Sequence, residues 1–102
     1  MHLLALLAVV AGLAAPTLRV VSDQPLVVRG TGFGAGEALV VRVYGKTVTT
    51  TRVHATPAGT FRVRLVRPVA SLPCGRLLVR VTRATGAKVA VLAGPRECAP
   101  IG

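Results

Sequence analysis

Few side chains in this chain can do chemistry, and their spacing does not assemble them. Ser22 and Asp23 share one turn, and His54 is the one histidine beyond the first residues. A nucleophilic serine needs a histidine within hydrogen-bond reach and an acid to orient that histidine. Nothing in the spacing brings His54 to Ser22. Asp23, Glu37 and Glu97 are the only carboxylates, too scattered to work as an acid–base pair. One carboxylate per loop is also too few for a calcium site. Cys74 and Cys98 are the only cysteines; two thiolates fall short of a zinc set, and there is no Cys-x-x-Cys. No catalytic residue, no metal ligand and no cofactor is therefore assigned.

One stretch looks at first like a phosphate cradle: Gly30-Thr31-Gly32-Phe33-Gly34-Ala35-Gly36-Glu37. A phosphate loop would carry Gly-Lys-Ser/Thr and open a helix. This one lacks the lysine and is followed by a strand-type run. Glycines at this density mark backbone that must turn or approach another segment closely, and Phe33 gives the loop something to bury. It reads as a crossover between sheets.

The elements around it are short and extended. Strands are expected at residues 17–21, 26–29, 38–44, 47–55, 60–66, 76–83 and 87–93, with turn residues at intervals of about ten. The fourth, rich in threonine, is expected at an edge. Phe61, Val63 and Leu65 alternate with Arg62 and Arg64; Leu77, Val79 and Val81 alternate with Arg80 and Thr82; Val41 and Val43 alternate with Arg42 and Tyr44. Period-two patterning with one charged face means sheets dry on one side and wet on the other. Two such sheets pack as a sandwich. Hydrophobic residues make up 52% of the 102 residues, yet only Phe33, Tyr44 and Phe61 are aromatic, so the core must be mostly Val, Leu and Ala.

Residues 3–13 form an apolar run of the length of a signal h-region, followed by small residues at a cleavage position. Residues 1–15 are thus expected to be a signal peptide, helical before cleavage, and 16–102 a single exported domain. The run is short for a bilayer span, and no basic n-region precedes it; an uncleaved anchor is the alternative. In an exported chain the two cysteines are expected to form a disulfide. A hairpin folded about Thr85-Gly86 pairs positions whose numbers sum to 171 or 172, which sets Cys74 opposite Glu97 or Cys98.

The glycine stretch and the Ala58-Gly59-Thr60-Phe61 turn together resemble motifs of bacterial immunoglobulin-like modules. Those modules often carry Gly-x-Gly-Phe-x-x-Gly-Glu after the second strand and a small-Gly-Thr-Phe turn opening a later one. Ala35 departs from the proline often found there. The resemblance, covering residues 17–93, implies an all-β, two-sheet, Greek-key sandwich of about seven strands with a structural or adhesive role at the cell exterior. It implies no catalytic residues.

Thirteen Lys and Arg oppose three Asp and Glu, for a net charge of +10. Eleven of the thirteen are Arg, a bias that a GC-rich genome also produces. If the strands run up and down, Lys46, Arg67, Arg76 and Arg96 gather at one end beside the cysteines. That end is the expected site for an anionic wall polymer or lipid surface. Arg29, Arg62 and Arg64 are expected on the outer face of one sheet, and Arg42, Arg80 and Lys88 on the other. Nucleic acid is not favoured, because stacking aromatics are lacking. A second candidate surface is an apolar stripe of Val40, Leu78, Ala90 and Leu92 on the outer side of strands three, six and seven. It would take a protein partner or a second copy.

Overall fold

The computed structural model describes residues 15–95. The expected leader, save Ala15, and the residues Arg96, Glu97 and Cys98 lie outside the described residues.

Seven strands form two antiparallel sheets: β1 (Thr17–Asp23), β2 (Leu26–Thr31), β3 (Ala38–Tyr44), β4 (Val48–His54), β5 (Phe61–Leu65), β6 (Leu77–Thr82) and β7 (Lys88–Ala93). One sheet has the order β1-β2-β5 and the other β4-β3-β6-β7. No α-helix occurs among the described residues; Pro73–Gly75 makes one 3-10 turn. The threonine-rich β4 is an edge strand, as its composition indicates. The glycine stretch carries the chain from β2 in one sheet to β3 in the other, so it is a crossover.

Alternation sets which face is dry. Val41 and Val43 on β3, Leu77, Val79 and Val81 on β6, and Phe61 and Leu65 on β5 are buried. They join Leu26, Val28, Phe33 and Leu39 in one core, and no polar or charged residue among the described residues is buried as a whole. The core is aliphatic apart from Phe33 and Phe61, whose rings pack tilted with centroids 5.5 Å apart. Burying a side chain of this kind is worth about 1.5–3 kcal/mol, and β-branched valines suit the pleated surface.

The two sequence motifs meet in space. Phe33 N–H donates to the Gly59 carbonyl at 3.0 Å. Gly59 has φ +77°, and a Cβ there would collide with the Phe33 carbonyl oxygen. Gly30 pairs across with Phe61, and a Cβ on Gly30 would fall within the Phe61 ring. Each motif's glycine is the space the other motif's phenylalanine loop occupies.

The β6–β7 register differs from the expected one. Leu77 pairs with Ala93 and Thr82 with Lys88, so partner numbers sum to 170. The cause is the turn. Gly86 N–H donates to the Arg83 carbonyl at 2.9 Å and Arg83 N–H donates to the Ala87 carbonyl at 2.8 Å. Gly86 sits at φ +91°. This is a three-residue loop closed by a left-handed glycine, in place of the two-residue Thr85-Gly86 turn. Cys74, moreover, stands at φ +66° in the 3-10 turn before β6 begins. Strand pairing alone therefore does not set Cys74 against Cys98, and Cys98 is outside the described residues.

Candidate functional site

The strand directions give the sandwich two distinct ends. At the first lie the glycine crossover, the β4–β5 connection and the β6–β7 hairpin. Here Glu37 is the organising residue. Arg83 donates to it twice, Nε to Oε2 at 3.1 Å and Nη2 to Oε1 at 2.8 Å. The backbone N–H groups of Gly34 and Ala84 donate to the same carboxylate at 2.8 and 3.1 Å. The Arg83 hydrogen bonds hold the Glu37 carboxyl down at about 2, against the opposing effect of burial, with the Gly34 and Ala84 amides adding to the lowering. The same pairing raises the Arg83 guanidinium above its ordinary value. Arg83 also lies over the Phe33 ring, 5.4 Å from its centroid. Glu37 thus ties the crossover to the hairpin with every strong acceptor site used. Its role is architectural, joining two connections of the fold.

The second end gathers the turns after β1, β3, β5 and β7. It brings Lys46, Arg67 and Arg76 together on the connections there; Arg96 is outside the described residues. Arg67 is engaged through two of its nitrogens and Arg76 through one, while the Lys46 ammonium has no hydrogen bond or ion pair among the described residues. Arg67 pairs with Asp23 at 3.2 Å and donates from Nη2 to the Gly75 carbonyl at 3.0 Å. Arg76 Nε donates to the Pro73 carbonyl at 3.3 Å. Lys46 is fastened by its backbone, whose N–H donates to the Val69 carbonyl at 2.8 Å. The arginines at this end brace the residue 66–76 connection.

Apolar side chains mark the same end. The exposed large hydrophobics among the described residues are Val21, Val48, Val66, Val69, Leu72 and Leu92. All six lie in the half of the sandwich beside this end, Val66 at 79% and Val69 at 65% exposure. On the outer face of the four-stranded sheet, Val48 pairs with Tyr44, Tyr44 with Leu78, and Leu78 with Leu92. One row of apolar or aromatic side chains therefore crosses all four strands.

The structure brings Leu78 and Leu92 together but not Val40. Val40 pairs with Arg52 and Thr82, two registers away, behind the row that holds Arg42, Arg80 and Ala90. Tyr44 and Val48 take its place, and sequence reasoning missed both. The missing signal was the β3–β4 register: the loop has three residues, Gly45, Lys46 and Thr47, so Tyr44 faces Val48. Arg80 bounds the row, donating from Nη2 to the Tyr44 hydroxyl with its guanidinium 4.9 Å from the ring centroid. Arg80 Nε and Thr82 Oγ1 are buried with no hydrogen-bond partner.

The dispersed polar residues stay dispersed. His54, exposed, ends β4 opposite Ala38 at the first end, while Ser22 and Asp23 are at the second. No group of three His, Cys, Asp or Glu among the described residues could hold a metal ion. Fold and surface define a class: a seven-stranded, two-sheet antiparallel β protein with one apolar end. No family model, curated protein or solved structure matches the chain.

Proposed function

We propose that this protein is an exported, non-enzymatic immunoglobulin-like Greek-key module that contacts a protein partner, or a second copy of itself, through its apolar end. The observation that carries the reading is that all six exposed large aliphatics among the described residues fall in one half of the sandwich. Single exposed aliphatics are ordinary; contiguous ones rimmed by polar groups mark interaction surfaces. The strand order supports the immunoglobulin-like part. Strands one, two and five share a sheet, and three, six and seven share the other, as in immunoglobulin domains, with the fourth strand on the second sheet. Export rests on the apolar leader and the cysteine pair.

The test is sizing of the purified domain, alone and with surface extract of the producing cell, for wild type and Leu78→Asp. A dimer or complex that Leu78→Asp abolishes supports the reading. A strictly monomeric protein that captures nothing in either form overturns it.

A further inference from the structure

The outer face of the three-stranded sheet carries a feature that the apolar end does not account for. Arg19 pairs directly with Arg29, and Arg29 directly with Arg62. Three arginines therefore stand in one row across three strands. Strand spacing of about 4.8 Å sets the row at about 10 Å from first to last backbone. Arg64, the next outward residue on β5, pairs with Val27. All four arginines are exposed, and none has a hydrogen bond or ion pair among the described residues. No carboxylate of the described residues lies on this face: Asp23 is at its end and engaged by Arg67, and Glu37 is at the other end and engaged by Arg83.

Like charges directly opposite on neighbouring strands destabilise a sheet, so a row of three is a standing cost without an anion. The row's neighbours suit one. Thr17 and Thr31, joined through their hydroxyls at 2.7 Å, line with Arg19 and Arg29 a depression of about 300 Å³. Guanidinium forks bind phosphate oxygens bidentately. At the second end, by contrast, Arg67 is already held by Asp23 and the Gly75 carbonyl, and Arg76 gives its Nε to the Pro73 carbonyl.

We propose that the Arg19–Arg29–Arg62 row is a binding track for a linear phosphate polymer, each arginine taking a successive phosphate. A row suits a repeating anion better than a single one. The three aromatics all lie elsewhere, Phe33 and Phe61 in the core and Tyr44 on the other sheet, so the track has no platform on which bases could stack. This site is independent of the apolar end.

The test titrates the purified protein with inorganic polyphosphate across a salt series. Three forms are compared: wild type, Arg29→Gln/Arg62→Gln, and the charge-matched control Arg52→Gln/Lys88→Gln, which alters exposed positions on the opposite sheet. The track predicts affinity at least about tenfold weaker in the first variant and within about twofold of wild type in the control. The salt slope should fall by about two in the first variant, one for each lost phosphate contact. Removing opposed charges should leave its melting temperature at or above that of wild type, and polyphosphate should raise the melting temperature of wild type but not of the variant. Equal losses in the two variants would show diffuse charge and overturn the track, as would no binding at all. Tighter binding of single-stranded DNA or of anionic vesicles, unaffected by Arg29→Gln/Arg62→Gln, would also overturn it.

Discussion

Glu37 shows how one side chain can hold two distant connections. Its carboxylate accepts from Arg83, Gly34 and Ala84, which is why its proton leaves at about 2 instead of the ordinary 4.5. A depressed folded-state value means stability that is present above the unfolded value and lost as the carboxyl protonates. The melting temperature should therefore be flat with respect to Glu37 above about pH 5 and should fall as pH drops from 4.5 towards 2. Glu37→Gln should cost about 2 kcal/mol at neutral pH, the worth of charge-assisted hydrogen bonds in a partly buried site, and should flatten the acid limb. Thermal melts of both proteins from neutral to acid pH read this directly. A variant whose acid limb matches that of wild type would show that Glu37 is not the titrating group. The sequence displayed Glu37 as the end of a glycine motif but gave no sign of Arg83 as its partner. The two are 46 residues apart, and the pairing of β3 with β6 brings them together.

At the scale of elements, the strands were legible because their alternation is clean. The third strand was read at its observed limits, and the others differ by one or two residues at their ends. Residue pairing was less legible, because register is decided by turns. The left-handed Gly86 adds a residue to the last hairpin and shifts every cross-strand partner. Gly59 tests the same principle where space is also short. Gly59 and Gly86 both have positive φ, but a Cβ at Gly86 would meet nothing within 4 Å, whereas at Gly59 it would meet the Phe33 carbonyl. Gly86→Ala should therefore cost only the left-handed strain, about 1 kcal/mol. Gly59→Ala should add displacement of the Phe33 loop and lose its hydrogen bond, for at least about 3 kcal/mol in all. Urea denaturation of the pair separates the two effects; equal midpoints would mean that the contact between the two motifs does not bind the sheets together.

The whole molecule is a small aliphatic sandwich with few large rings to fill its core, the size range in which a covalent tie matters. Its surface divides by chemistry: aliphatics at one end, an arginine row on one outer face, and an ion-paired clasp at the other end. Composition revealed the charge but not this division, because which arginines are engaged depends on where Asp23 and Glu37 fall in space. The cysteines bear on the molecule as a unit. Cys74 sits just before β6 at the apolar end, and the chain leaves β7 at the same end towards Cys98. We expect a bridge between them even though the β6–β7 register does not by itself align them, since both segments leave the hairpin at one end. It would close a loop of about 25 residues and contribute about 3 kcal/mol by restricting the unfolded chain. For a domain of this size that corresponds to about 12–24 °C in melting temperature. Oxidised protein should therefore have a mass lower by two hydrogens than the reduced form, and reductant should lower its melting temperature by that amount. The variant Cys74→Ser/Cys98→Ser should melt where the reduced wild type melts, with or without reductant. If reductant leaves the wild type unchanged, the bridge is absent and the aliphatic core alone sets the stability of the sandwich.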